Sequence, residues 1–151
     1  MEEGETNVAP LDVVKAFLAL QELDLDSGDV ITNLKAQKLV YYAQGWHLAK
    51  FDSPLFQEDF QAWAHGPVIP ELYNQLKKFG SRQIGTIGDL DPDIFSRQQL
   101  DLLISVYKTY AQYSAWKLRD MTHGETPWRN TKQSDTITKD SIKSFFSTAI
   151  A

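Results

Sequence analysis

"FQAWAHGPVIPELYNQLKKFG", residues 60–80, changes its period halfway along. Phe60 and Ala62 alternate with Gln61 and Trp63, the period of two that sets one face of a short strand against a core. Beyond His65-Gly66-Pro67, the residues Val68, Leu72, Tyr73, Leu76 and Phe79 recur at helical spacing, and Gly80-Ser81 is a stop signal. Pro67 suits a first helical position, where the missing N–H costs nothing. The segment therefore reads as a strand that turns at Gly66-Pro67 directly into an amphipathic helix. Glycine supplies a permissive backbone there and proline a fixed φ. His65 has no such geometric explanation.

On the N-terminal side, residues 1–10 are polar and Glu-rich and read as a flexible leader. "LDVVKAFLALQEL" (11–23) then has helical spacing, and "DLDSGD" (24–29) breaks it. "LKAQKLVYYAQGWHLAKF" (34–51), capped by Thr32 or Asn33, is the strongest helix, with Leu34, Leu39, Val40, Ala43, Trp46 and Leu48 on its apolar face. Gly45 inside it costs about 1 kcal/mol against alanine, so another element is expected to pack closely there. On the C-terminal side, "QIGTIGDLD" (83–91) alternates and is expected to be a second strand paired with 60–63. Ser96 with Gln99 forms a capping-box pattern, Ser114 caps a helix that stops at Gly124, and Thr138 or Asp140 opens the last helix. The expected fold is mainly α: one compact domain over 11–151, about six helices with a small two-stranded β element.

Composition narrows the function. The 151 residues hold no cysteine, which removes disulfides and thiolate chemistry and suits a cytoplasmic setting. No signal-peptide pattern opens the chain and no apolar run approaches the ~20 residues a membrane span needs. Net charge is −5; residues 96–151 carry +3 and residues 1–95 carry −8. That balance is wrong for a nucleic-acid binder, although 67–79 in a winged-helix arrangement keeps a DNA-binding autoregulator as an alternative. His47, His65 and His123 lie in three different elements with no i, i+4 pair, so a His-dependent metal enzyme stays an alternative that only the fold could assemble. No phosphate loop or nucleophile elbow is present, and no cofactor is implied. The four tryptophans are candidates for either core or a protein interface.

Three stretches, "AQKLVYYAQGWHLA" (36–49), "AWAHGPVIPELY" (62–73) and "LRDMTHGETPW" (118–128), occur in that order and together resemble the Panacea domain family of SocA-like and phage-associated GepA-like antitoxins. The resemblance runs from about residue 11 to residue 146. It implies a non-enzymatic antitoxin, often carried on prophage or other mobile DNA, that neutralises a cognate toxin encoded by a neighbouring gene through direct contact. One branch of the family implies a further role as an adaptor delivering the toxin to the ClpXP protease. The family pattern falls on Trp46, His47, Trp63, Gly66, Pro67 and Pro127 as motif residues. Among polar or amphipathic residues at element ends, His65, Glu71, Tyr73, His123, Trp128 and Arg129 are the candidates for a partner-binding face. For His123, just before Gly124, a charged ring at a helix C-terminus competes with that binding role.

Overall fold

The strongest helix of the sequence is the centre of the molecule. In the computed structural model, which describes residues 6–24 and 29–150, α2 (Asn33–Phe51) touches α1 (Pro10–Leu23), α4 (Arg97–Tyr110), α5 (Ala115–His123) and α7 (Lys139–Ile150). Thr32 caps α2 by accepting from the Lys35 amide, and Asp52 ends it in the left-handed region at φ 56°. The remaining helices are α3 (Pro70–Leu76) and the single turn α6 (Thr126–Arg129), so the described residues form seven helices with a three-stranded sheet. The fold is mainly α, as expected. The capping roles of Ser96, Gln99, Ser114 and Thr138 are realised in the hydrogen bonds that open α4, α5 and α7.

Being surrounded, α2 buries polar residues as well as apolar ones, and each must find a partner. Lys35 Nζ donates to Ala111 O at 2.6 Å and Lys38 Nζ to Pro67 O at 3.1 Å. Gln44 takes the Leu55 amide and gives to Phe56 O, while Gln37 accepts the Ile69 amide. The polar letters of "AQKLVYYAQGWHLA" are thus clamps that hold the backbone of the loops and hairpin against the helix. Gly45 meets the expectation of close approach: an added Cβ would lie 2.2 Å from the Phe146 ring of α7.

The β element differs from expectation in two respects. The strand β1 (Phe60–Trp63) pairs antiparallel with β2 (Gly66–Val68) across the turn Ala64–His65, so Pro67 is a strand residue opposite Ala62 and not the start of the helix. Ala62 sends its amide and carbonyl the other way, to Asp135 O and Ser134 N, and Pro67 at the sheet edge has no ladder donor to lose. The helix begins at Pro70, which takes the first-turn position instead. The other edge of β1 is filled by β3 (Thr136–Ile137), giving the order β2-β1-β3. Residues 83–91 form no strand with β1; Ile84 N donates to Ile31 O and Gln83 bridges Thr32, which ties this stretch to the segment before α2. Phe79 lies over Gly85, and Gly88 adopts φ +109°, so these glycines serve the loop.

The expected leader 1–10 falls partly outside the described residues. Of its described part, Thr6 Oγ1 donates to Leu55 O, Val8 is buried and Pro10 opens α1.

Candidate functional site

The hairpin β1–β2 organises the surface around it. Its turn residues Ala64 and His65 have no positive φ; the left-handed geometry falls instead on Gly66, at φ +111°. Gly66 sits against Lys38 and Thr122, where an added Cβ would lie 2.6 Å from Lys38 Cε and 2.8 Å from Thr122 Oγ1. Trp128 braces the hairpin from the side of α6, its indole N–H donating to Trp63 O at 2.8 Å. His123 stacks on Trp128 with ring centroids 3.8 Å apart.

Beside the hairpin opens a cleft of about 620 Å³. The start of α2 (Asn33, Leu34, Gln37), the hairpin (Trp63, His65, Val68), α3 (Tyr73) and the start of α5 (Ser114, Trp116) line it, with Val30 and Lys77 at its margins. Its aromatics are paired: Trp63 with Tyr73 at 5.1 Å and His65 with Trp116 at 5.4 Å, both edge-on. Trp116 is 57% exposed, Tyr73 38% and Val30 48%. Trp116, Tyr73 and Val30 thus keep apolar surface open to solvent around one concavity.

The six residues expected on one partner-binding face are therefore divided. His65 and Tyr73 line the cleft, joined by the motif residue Trp63. His123 and Trp128 are half-buried and brace the hairpin from behind. Glu71, in the first turn of α3, and Arg129, in α6, are exposed and outside the cleft lining. The other motif residues are structural: His47 Nδ1 lies 2.6 Å from Ser53 O, Trp46 donates to the Tyr110 hydroxyl, and Pro127 is buried. Sequence reasoning missed Trp116 as a cleft residue. The signal was there, because Leu118 and Thr122 are the buried stripe of α5 and two residues' offset turns Trp116 to the opposite face.

The electrostatics behind the hairpin were not legible in the sequence. Burial, reinforced by nearby Arg119, lowers Lys38 to about 7. Burial raises Glu125 to about 7 against the opposing hydrogen bond from Tyr42 Oη at 2.8 Å. His123 is held below its ordinary value by desolvation and then by Arg119, while the Ala64 backbone pulls the other way. A neutral ring is thereby favoured, which disfavours the charged-dipole role. Burial also raises Tyr41 and Tyr42 and lowers His47.

Lys38 and Glu125 tilt stability in opposite directions with pH. The folded pKa of Lys38 lies below the unfolded value of 10.5, so its effect is stabilising at high pH and is lost as pH falls from about 10.5 towards about 7. Glu125 has its folded pKa above the unfolded 4.5, so stability is lost as pH rises from about 4.5 to about 7. Together they produce a minimum near neutrality with limbs of up to about 1.4 kcal/mol per pH unit. Urea titrations across pH test this: Lys38→Met is expected to flatten the alkaline limb alone and Glu125→Gln the acid limb alone. Unchanged limbs in both variants would show that these groups are not desolvated in solution.

Among the described residues no group of three or more His, Cys, Asp or Glu side chains is placed to hold a metal ion. His47, His65 and His123 face Ser53 and Gln99, Trp116, and Trp128 respectively. No described helix is long and apolar enough to cross a membrane.

The family model "Antitoxin SocA-like, Panacea domain" matches residues 36–129, from α2 through α6. The antitoxin SocA of Caulobacter vibrioides (strain NA1000 / CB15N) is 41% identical over 54 residues, which is 36% of this chain and 29% of that protein. No solved structure matches. With the matched region containing the central helix, the hairpin and its brace, the chain belongs to the SocA-like antitoxins of the Panacea domain family.

Proposed function

We propose that the chain neutralises a cognate toxin, the product of a neighbouring gene, by direct protein–protein contact, and that the aromatic cleft is the contact face. The observation that carries this is the gathering of Trp63, Tyr73, Trp116 and His65 around one concavity, with Trp116 and Tyr73 open to solvent. Tryptophan and tyrosine in a desolvatable pocket are the side chains on which interface energy concentrates. The hairpin makes the face rigid, because its backbone is held by α2 through Lys38 and Gln37 and by α6 through Trp128. A DNA-binding reading draws little from α3, a seven-residue helix that carries Glu71 and no arginine.

Co-expression with the adjacent open reading frame is the test, scored by growth and then by co-purification. A neighbour that arrests growth alone, is harmless together with this chain and co-elutes with it supports the reading. Trp116→Ala and Tyr73→Ala are expected to stay folded, since both side chains are exposed, and each to weaken the complex by about 30-fold or more, the ~2 kcal/mol of a hot-spot residue. Full protection by the doubly substituted chain would place the contact elsewhere. Rescue without co-elution would replace blocking by delivery to a protease such as ClpXP, or by repression of the toxin gene.

A further inference from the structure

The charge distribution around the cleft indicates what kind of partner segment it takes. Its floor is apolar and aromatic, but part of its rim is cationic. The turn after α3 brings Lys77, Gly80 and Ser81 to the cleft and holds Lys77, Lys78 and Arg82, with no acidic residue between Glu71 and Asp89. Beyond the lining, α5 carries the exposed Lys117 as the chain neighbour of Trp116 and lays the Arg119 guanidinium, which also pairs with Asp120, 5.2 Å from the Trp116 ring centroid. Lys77, Lys78, Arg82 and Lys117 make no ion pair with an acid among the described residues. The acid in the lining, Asp29, acts on the buried ammonium of Lys35. In a chain of net charge −5, this is a local reversal of sign around apolar surface.

Backbone recognition is closed off at the same place. The outer edge of β2 offers Pro67, which has no N–H and whose carbonyl is taken by Lys38, and the next amide, that of Ile69, is held by Gln37. A partner strand cannot add to that edge.

From these observations we infer that the cleft takes a side-chain anchor, aromatic or long aliphatic, from an acidic segment of the toxin, with flanking Asp or Glu carboxylates meeting the Lys77–Arg82 turn and Lys117. This rests on the cleft being the toxin-contact face. The cationic rim steers the acidic segment in, and the aromatic floor holds it.

The test uses the full chain and the neighbouring-gene toxin whose growth arrest it relieves, with dissociation constants measured at low and physiological salt. The double charge reversal Lys77→Glu/Lys117→Glu alters two exposed side chains and is expected to leave the far-ultraviolet circular dichroism unchanged. It is expected to weaken binding about 10-fold or more and to reduce the dependence on salt. Hydrogen exchange is expected to protect an acidic stretch of the toxin. Unchanged or tighter binding by the reversal variant, with Trp116→Ala still disruptive, would overturn the acidic-partner inference and leave the cleft as contact face. Wild-type affinity in both the reversal variant and Trp116→Ala/Tyr73→Ala would remove the contact face and the inference together.

Discussion

Gly45→Ala is expected to destabilise the protein by about 2–3 kcal/mol, although alanine is the better helix former by about 1 kcal/mol. Gly45 lies inside α2, and its Cβ would sit 2.2, 2.3 and 2.7 Å from three atoms of the Phe146 ring. That ring cannot step aside cheaply. Tyr41, Tyr42, Trp46 and Phe145 meet it at centroid distances of 5.7, 5.9, 5.1 and 5.1 Å, so any rotation drives it into another aromatic. For a chain of this length the loss corresponds to a fall in Tm of about 5–10 °C. Shortening the opposing side chain should relieve the clash, so Gly45→Ala combined with Phe146→Leu is expected to cost less than the sum of the two single changes, by about 1 kcal/mol or more. Thermal melts of the four proteins decide it. A stabilised Gly45→Ala would mean that helix propensity alone governs the site and that α7 does not press on α2.

The second large effect is at Gly66. Its φ of +111° is a conformation that a side chain tolerates poorly, with a cost of about 1–3 kcal/mol. The added methyl of Gly66→Ala would also enter the space of Lys38 Cε and Thr122 Oγ1. Lys38 can retreat only by giving up Pro67 O, and burial leaves it no water to turn to. A total loss of about 3 kcal/mol or more is expected. Because the hairpin carries Trp63 and His65 into the cleft, neutralisation is expected to fail along with stability. The contributions separate in a Lys38→Ala/Thr122→Ala background, where the steric part against both side chains should be relieved and the backbone part persist. If Gly66→Ala melts like the wild type, the hairpin in solution does not hold this φ.

Legibility in the sequence followed the range of the interactions involved. Helix positions were readable because capping and apolar period act within a few residues: Thr32, Ser96, Ser114 and Thr138 stand where their helices begin, and Gly45 announced a close neighbour without naming it. The strand β1 was readable for the same reason. Its partners were not. "GPVIP" contains two prolines that each fit a first helical turn, and only the pairing of Ala62 with Pro67 and the clamp from Lys38 make the first a strand residue and the second a helix start. Residues 83–91 alternate as a strand should, yet the edge they were expected to occupy is filled by Thr136–Ile137, a contact some 75 residues distant in the chain that no local pattern encodes.

The division of the candidate site has the same origin. His65, Tyr73, His123 and Trp128 all stand at element ends, and nothing within three or four residues of each distinguishes a side chain left open beside Trp116 from one stacked beneath the hairpin. By itself the sequence determined a mainly helical domain, the capped starts of α2, α4, α5 and α7, a short strand at 60–63 and the three motifs that carry the family resemblance, since these depend on backbone sterics, capping and period. Tertiary structure alone decided that Lys38 is buried and Glu125 half-buried, that Pro67 lies in a strand, and that Trp63, Tyr73 and Trp116 share one cleft. Those outcomes depend on which distant surfaces exclude water from each other, and that is settled only when the whole chain packs.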